Sequence, residues 1–237
     1  MIPYIDIHTH SIHSGTGCIE VVSLDMADLH TNCGGDVDAI CQKVSSCGQY
    51  AAIGLHPWNV ASAEVCLATL PTVVQRCPNV RFIGEAGLDR TRDIDMGWQK
   101  NVFQTQVEIS EDLSIPMVIH CVRAFDELLC MRKALNPHQR WIVHGFRGKP
   151  ELARQLMRSG LDISMGEHYN PLSLGVIPMD RLWIETDMSE SNIQSVYASL
   201  CENLNIDADT LRESVFQRFQ HLMDAHKPTN SPKIVVN

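Results

Sequence analysis

The chain forms its first apolar stretch from Tyr4-Ile5-Asp6-Ile7-His8-Thr9-His10, which ends in two imidazoles. Residues i and i+2 of a strand face the same side, so His8 and His10 point together and Thr9 points away. Two imidazoles on one face can grip one metal ion, but such a pair is a weak signal alone. The pair matters here because polar residues end later apolar stretches in the same way.

Metal-binding residue types recur at the ends of those later stretches. They are His56, Glu85, His120, His144, Glu185 and Asp187. The strands of a (β/α)8 barrel all direct their C-terminal ends to one mouth, so distant side chains converge there. Imidazoles and carboxylates in one place indicate a divalent-metal site. A purely structural role for the whole set is disfavoured, because buried charge is costly unless it is paired or coordinated.

The apolar pattern predicts an α/β fold, a TIM-type (β/α)8 barrel. Continuous apolar runs, typical of parallel strands buried on both faces, lie near residues 3–8, 19–23, 50–56, 80–84, 116–120, 140–144, 161–165 and 181–185. Helical patterns lie at 62–77, 96–113, 123–135 and 149–159, and from Asp187 to about residue 226. We see no linker or repeat, so we expect residues 1–237 to form a single barrel domain.

The connection after the first strand is unusually short. Only residues 11–18 separate the two imidazoles from the next strand-like run. A crossover between parallel strands usually takes about a dozen residues or more. Eight extended residues reach about 26 Å, enough to pass back along a short strand. We therefore expect the first helix of the barrel to be missing or reduced to a turn.

Composition restricts the class of protein. The net charge of −9 argues against a broad basic groove for duplex nucleic acid. The nine cysteines include no CxxC pair and favour a reducing compartment, and neither a signal peptide nor a membrane span is visible. We therefore expect a cytoplasmic protein that makes no membrane contact. No obligate protein partner is indicated.

Glu85 is the natural bridge between two divalent ions, because a carboxylate has two oxygens. The expected first ion takes His8, His10, Glu85 and Asp187, and the second takes Glu85, His120 and His144. Two such ions can hold the attacking and leaving oxygens of a displacement, with Asp187 as general base. Imidazole suits zinc or manganese better than magnesium, yet residue types leave zinc, manganese and magnesium open.

Residues around this set carry weaker signals. His56 either contacts substrate or hydrogen-bonds a loop. Arg123 either pairs with a phosphate through its guanidinium or forms a surface ion pair. Asp89 either orients a metal ligand or caps a helix. Further mouth residues with weaker support for a role are His13, Ser164, Glu167 and His168.

Six short stretches together resemble the TatD family of metal-dependent hydrolases, the TatD-like deoxyribonucleases. They are Asp6-Ile7-His8-Thr9-His10, Ile53-Gly54-Leu55-His56-Pro57, Ile83-Gly84-Glu85-Ala86-Gly87-Leu88-Asp89, Val118-Ile119-His120-Cys121-Val122-Arg123, Val143-His144-Gly145-Phe146-Arg147-Gly148 and Ile184-Glu185-Thr186-Asp187. The resemblance implies a TIM-type barrel, two divalent metals and phosphodiester hydrolysis, typically in DNA. Its metal ligands fall on His8, His10, Glu85, His120, His144 and Asp187. Together with the acidic charge, it predicts a DNase for single-stranded or short DNA that uses a metal-activated water.

Two departures from the family pattern affect the substrate more than the chemistry. The short loop after His10 reshapes the rim, and Ser189 stands where the family often has proline. A small phosphodiester therefore stays open as the substrate beside DNA.

Other readings also remain open. The opening motif, with His13, resembles that of PHP-type phosphoesterases, which favour three metals. An amidohydrolase would usually bridge its metals with a modified lysine, whereas Glu85 stands here without a neighbouring lysine. A non-catalytic metal-binding protein would need no open coordination position.

Overall fold

Eight parallel strands in the order β1 to β8 form one sheet in the computed structural model, which describes residues 2–12 and 17–225. The strands are Tyr4–Thr9, Cys18–Asp25, Tyr50–Gly54, Val80–Asp89, Met117–Val122, Trp141–Val143, Asp162–Met165 and Leu182–Ile184. All neighbouring strands pair in parallel. The predicted TIM-type barrel is confirmed, with every predicted strand in place.

Helices separate most of the strands and cover the sheet. Helices α1 to α9 are Met26–Asn32, Val37–Ser45, Ala63–Arg76, Met96–Leu113, Phe125–Leu135, Pro150–Arg158, Pro171–Leu174, Ile193–Leu204 and Ala208–Ala225, and a 3-10 helix spans Pro57–Ser62. Helix α4 buries Val102, Phe103 and Val107 against the sheet. Phe103 packs against Trp141 of β6 with ring centres 5.2 Å apart. Among residues 2–12 and 17–225, no helix combines the length and apolar character needed to cross a membrane.

Local sequence explains where several helices begin and end. Asp36, Asp95 and Asn192 accept hydrogen bonds from the first backbone N–H groups of α2, α4 and α8. Asn136 and Asn205 adopt a left-handed conformation directly after α5 and α8, a position that asparagine tolerates. The helices are therefore fixed at their ends by short polar side chains.

The connection from β1 to β2 has the predicted short form. Tyr4 pairs with Cys18, so β1 and β2 are adjacent and parallel. The described part of the connection, residues 10–12 and 17, contains no helix. His13, which the sequence suggested as a mouth residue, lies outside the described residues. The rim beside His10 is thus built without a helical layer in the part that is described.

A short seam closes the barrel between its first and last strands. Thr9 forms an isolated parallel bridge with Asp187, just past β8. The backbone N–H of Asp187 donates to the carbonyl of His8 at 2.9 Å, and the N–H of His10 donates to the carbonyl of Asp187 at 3.1 Å. The backbone hydrogen bonds of this seam therefore join His8 and His10, two predicted metal ligands, to Asp187, the predicted general base.

Buried side chains reinforce this seam. The hydroxyl of Thr186 donates to Asp6 Oδ2 at 2.6 Å, and the N–H of Thr186 donates to Asp6 Oδ1 at 3.1 Å. The hydroxyl of Tyr197, on α8, donates to the carbonyl of Ile5 at 3.0 Å. Since all of these groups are buried, each bond would be costly to lose.

Two departures from the sequence expectations concern the region from β2 to β4. Helices α1 and α2 lie between β2 and β3, where no helix was predicted. Strand β4 continues to Asp89, so the expectation that Glu85 ends its strand is wrong. The pairing register of β4 with β5 shifts between Ile83 and Ala86, so Glu85 lies at an irregular point inside the strand.

Candidate metal centre

All six predicted metal ligands lie together at the mouth of the barrel. They are His8, His10, Glu85, His120, His144 and Asp187. One side of the cluster is organised by Glu85 Oε1, which lies 3.2 Å from His8 Nε2 and 2.8 Å from His10 Nε2. Asp187 Oδ1 lies 3.6 Å from the same two nitrogens. These four side chains match the set expected for the first ion.

The other oxygen of Glu85 faces a second group of histidines. Glu85 Oε2 lies 3.1 Å from His144 Nε2 and 3.3 Å from His120 Nδ1. His56 Nε2 joins the same group at 3.5 Å from this oxygen. The two carboxylate oxygens therefore face two separate groups of imidazole nitrogens, as a bridging ligand requires.

The backbone around Glu85 approaches its neighbours too closely for larger residues. Gly87 has a φ of 156°, and a Cβ there would lie 1.9 Å from the carbonyl oxygen of His120. A Cβ on Gly84 would lie 2.4 Å from the carbonyl oxygen of Val118. Glycine on both sides lets β4 lie tightly against β5 while it carries Glu85 into the barrel.

The charges of the cluster depend on one another. Burial would by itself raise the pKa of Glu85, but His144 and His8 hold it well below its usual value. Burial and His144 disfavour protonation of His8, yet Glu85 and Asp187 outweigh them and raise the pKa of His8 to about 9. The pKa of His144 is raised well above its usual value against burial, chiefly by Glu85. Without a metal ion, protons on the histidines balance the carboxylates.

A metal ion fits this environment better than protons do. Both ring nitrogens of His8 are buried without a hydrogen bond, although Nε2 lies near Glu85 and Asp187. Buried polar atoms are normally satisfied, and an unsatisfied one needs an explanation. The candidate ligand atoms fall into sets of three that lie within 4.8 Å of one another, including His8–His10–Asp187 and His8–Glu85–His144. Mixed imidazole and carboxylate donors suit a divalent transition metal.

Asp89 fixes the orientation of His120. Its Oδ2 lies 3.1 Å from His120 Nε2, and the backbone N–H and hydroxyl of Thr91 donate to Oδ1. Burial would raise the pKa of Asp89, but donors from Thr91, His120 and Trp58 lower it to about 2. An ionised Asp89 places the proton of a neutral His120 on Nε2 and leaves Nδ1 free to face Glu85. Of the two roles open for Asp89, the ligand-orienting role is the one that this geometry matches.

His56 has the same tautomer as His120, but its protonated nitrogen faces the centre. Its Nδ1 accepts a hydrogen bond from the N–H of Trp58 at 3.2 Å. Burial and the neighbouring His120 lower the pKa of His56 to about 4, so the ring is neutral near pH 7. A neutral ring that accepts at Nδ1 carries its proton on Nε2, the nitrogen that faces the centre. His56 is therefore arranged as a hydrogen-bond donor into the site.

Asp187 lies at the edge of the centre, where solvent reaches it. Its side chain is 29% exposed, whereas that of His8 is fully buried. Burial would raise the pKa of Asp187, but His8 lowers it, so the carboxylate is ionised. A cleft of about 200 Å3 opens beside it, lined among others by Arg147, Glu167 and His168. Solvent access and an ionised carboxylate are the properties of a proton acceptor.

The remaining mouth residues divide into near and far positions. Glu167 and His168 line the cleft beside Asp187, as the weaker signals suggested. Ser164 instead lies fully buried within β7. Arg123 is exposed directly after β5, and its carbonyl accepts from Arg90 Nε at 3.2 Å. The position of Arg123 is compatible with contact to a substrate that spans the mouth.

Two further residues belong to the site: Glu185, which the sequence placed among the metal-binding types but assigned to neither ion, and Trp58, which had no predicted role. Glu185 Oε1 accepts from the N–H of Gly145 at 2.5 Å and lies 3.8 Å from His144 Nδ1. Trp58 donates its indole N–H to Asp89 Oδ2 at 2.8 Å. The alternation of Glu185 with Thr186 and Asp187 at a strand end was an available signal for the first. The second depends on the 3-10 helix after β3 meeting the end of β4.

Comparisons with known proteins show which family the chain is similar to. A family model described as TatD related DNase matches residues 5–224. The uncharacterized metal-dependent hydrolase YjjV of Escherichia coli (strain K12) is 26% identical over 190 residues, which cover 70% of this chain and 73% of YjjV. The 3'-5' ssDNA/RNA exonuclease TatD of Erwinia billingiae (strain Eb661) is 32% identical over 151 residues, which cover 58% of this chain and 57% of that protein.

A solved structure gives the same result for the fold. The crystal structure of YjjV, a TatD homolog from Escherichia coli K12, superposes with a TM-score of 0.77 at 22% identity. The match covers 98% of this chain and 100% of that chain. At this level of identity the likeness concerns the barrel and the order of its elements.

Proposed function

The chain belongs to the TatD-related DNase family of metal-dependent hydrolases, and from this premise we propose that it cleaves phosphodiester bonds in single-stranded or short DNA. The family and the reaction class predicted from the sequence are confirmed. The observation that carries the proposal is Glu85, whose two oxygens face two separate groups of metal-binding side chains.

We propose two divalent ions as cofactors, held by the six residues of the centre. One set is His8, His10, Glu85 and Asp187, and the other is Glu85, His120 and His144. Such ions, when bound, lower the pKa of water and offset the negative charge of a phosphodiester. Zinc and manganese match the imidazole-rich donors better than magnesium does.

The protein side chains have distinct roles in the proposed reaction. Asp187, ionised and reached by solvent, accepts the proton of the attacking water. Glu85 binds in both ligand groups and so fixes the position of one group relative to the other. His56 donates from Nε2 to a phosphate oxygen, and Arg123 binds a phosphate farther along the substrate.

The substrate proposal follows from charge and shape. A chain with a net charge of −9 lacks a general attraction for duplex DNA, so phosphate recognition has to be local. The relative from Erwinia billingiae is named an exonuclease for single-stranded DNA and RNA, which supports single strands as substrates. A small phosphodiester is the second candidate, supported by the cleft of about 200 Å3 beside Asp187.

Two further proposals concern the protein as a whole. We propose that residues 1–237 are a single domain, which is supported by one sheet that runs from Tyr4 to Ile184. We also propose a cytoplasmic location, supported by nine free cysteines, most of them buried. No membrane contact or protein partner enters the proposed reaction.

The alternative enzyme classes have weaker support. A modified lysine as the bridging ligand has no place here, since β4 contains no lysine and Glu85 occupies the bridging position. A PHP-type site would use the motif around His13, which lies outside the described residues. Neither class accounts for the paired histidine groups around Glu85 as directly as the proposed one.

The test uses metal-stripped protein with manganese, zinc or magnesium added back in turn. The substrates are a chromogenic phosphodiester and an end-labelled single-stranded DNA, and the Glu85→Ala variant controls for contaminating nuclease. We expect metal-dependent cleavage of both substrates by the wild type and of neither by the variant. Cleavage of the ester alone would move the substrate to a small phosphodiester. Stoichiometric metal binding without cleavage of either would overturn the proposed reaction.

A further inference from the structure

Trp58 is an exposed aromatic side chain that is nevertheless held in place. It lies in the 3-10 helix after β3, and 45% of its surface is exposed. The indole N–H donates to the buried Asp89 at 2.8 Å. The guanidinium of Arg92 lies 4.2 Å from the centre of the ring. A large apolar ring that is fixed by a buried partner but left open to solvent is typical of a binding surface.

The ring of Trp58 borders the metal centre directly. Its centre lies 4.8 Å from the ring of His56 and 6.4 Å from the ring of His120. Both histidines belong to the group that faces Glu85 Oε2. Asp89 Oδ2 also accepts from both Trp58 and His120, so one carboxylate sets the position of the aromatic ring and of the candidate ligand.

Positive charge beside Trp58 is local on a chain whose net charge is −9. The guanidinium of Arg92 lies over the ring of Trp58, whereas Arg90 in the same loop is paired with Glu127. Two aspartates also follow in that loop. Arg92 is therefore the cation that a phosphate backbone would meet at Trp58.

We propose that Trp58 is a stacking platform for a nucleobase next to the scissile phosphate, with Arg92, whose guanidinium lies over one face of the ring, as a partner for the phosphate backbone. This inference rests on the proposed function and names the feature of the substrate that the site recognises. Every base has a flat aromatic face, so stacking selects for the presence of a base and tolerates its identity. The platform would distinguish a single-stranded nucleic acid from a phosphodiester that lacks bases.

The first test compares substrates of the wild-type protein with manganese added. One substrate is a short single-stranded oligonucleotide, the second is its abasic counterpart of equal length and charge, and the third is a chromogenic phosphodiester. We expect the abasic strand to have a KM about tenfold higher than the normal strand, since stacking is the interaction that it lacks. This comparison needs no variant and so does not depend on how a variant folds.

The second test uses substitutions that separate the ring from its hydrogen bond. Trp58→Ala should raise KM for the oligonucleotide about tenfold or more and leave KM for the abasic strand almost unchanged. Trp58→Phe keeps a ring but removes the N–H to Asp89, and it should retain most of the affinity. Trp98→Ala is the matched control, because Trp98 is 47% exposed on α4. That variant should keep the wild-type KM for all three substrates.

The outcomes separate this inference from the proposed function. If the wild type cleaves the oligonucleotide and treats normal and abasic strands alike, the platform is overturned and the nuclease stands. If Trp58→Ala and Trp58→Phe both lose turnover on the chromogenic ester, Trp58 acts by positioning Asp89 and His120, and the stacking role is overturned. If the wild type cleaves none of the substrates with any metal, the proposed function fails and the platform fails with it.

Discussion

The metal centre has a deep half and an outer half that handle charge differently. His8 and His144 lie inside the barrel with side chains 0% and 8% exposed, whereas His10 and Asp187 at the mouth are 36% and 29% exposed. In the deep half, burial disfavours charge, but Glu85 and Asp187 outweigh it and raise the pKa of His8 to about 9. In the outer half, solvent reaches Asp187, and His8 outweighs partial burial and lowers the pKa of this carboxylate. We expect the deep half to fix where cations bind and the outer half to exchange protons with the reaction.

We expect the largest loss of activity when Glu85 is removed, because its two oxygens face both groups of candidate ligands. Glu85→Ala takes away the carboxylate shared by both ligand groups, and we expect activity to fall by about a thousandfold or more. The histidines can lose their protons when Glu85 is absent, so the barrel should stay folded. Activity on the chromogenic ester, with circular dichroism as a check of folding, measures the effect.

Glu85→Gln is the matched variant for that experiment, since it keeps the shape of the side chain and removes its charge. We expect it to lose activity almost as completely as Glu85→Ala. A folded Glu85→Ala protein with near-native turnover would show that Glu85 is not the bridge.

The outer half is tested by removing its proton acceptor. Asp187→Asn should lower kcat by about 10²- to 10⁴-fold, the range for general acid-base catalysis, and change KM far less. Steady-state kinetics at saturating metal separates the two quantities. Glu167→Gln removes a carboxylate from the same cleft and serves as the control, with a small effect expected on both. A rise in KM alone for Asp187→Asn would remove Asp187 from the role of base.

A subtler change tests how the deep half is held. Asp89→Asn cannot accept all the donors that reach Asp89, so His120 loses its fixed orientation. We expect metal affinity to fall by about 10- to 100-fold, as for other partners of metal ligands. Isothermal titration with zinc measures this affinity. Thr91→Val removes one donor to Asp89 without touching His120, and it should bind metal nearly normally; an equal loss in both variants would contradict the orienting role.

The raised pKa values of the deep half make metal binding depend on pH. A metal takes a neutral imidazole, so binding expels the proton that His8 holds up to a pKa of about 9. Affinity should therefore increase as pH rises from 6 toward 9, by up to about tenfold per pH unit for each proton released. Glu85 and Asp187 have lowered pKa values and contribute no such protons in this range. Titration in buffers of different ionisation enthalpy counts the protons, and a count of zero at pH 7 would exclude a protonated cluster.

The same contrast explains what could be predicted from the sequence. The strands, the barrel and the six ligands were accessible because each candidate ligand follows or ends a continuous apolar run. Whether these residues hold metal stays a prediction that the geometry supports. His8 and His10 were the easiest to place, because strand periodicity puts residues i and i+2 on one face.

Features that do not follow strand periodicity could not be predicted from the sequence. Helices α1 and α2 are only 7 and 9 residues long and lie on either side of Gly34 and Gly35, which weakens any helical pattern. The extension of β4 beyond Glu85 depends on an irregular register against β5, which no sequence period encodes. The link from Trp58 to Asp89 arises where the 3-10 helix after β3 meets the end of β4, so it depends on tertiary structure alone.

The seam between Thr9 and Asp187 ties the chemistry to the completion of the fold. His8 and His10 lie near the start of the chain, and the peptide that joins them to the last strand also carries the proposed base. A growing chain that has not yet reached residue 187 can place Glu85 among histidines but has no partner for β1 at this seam. We therefore expect activity only after β1 has paired with the segment that follows β8. We also expect a fragment that ends before residue 187 to be inactive, because it lacks both Asp187 and the partner of Thr9.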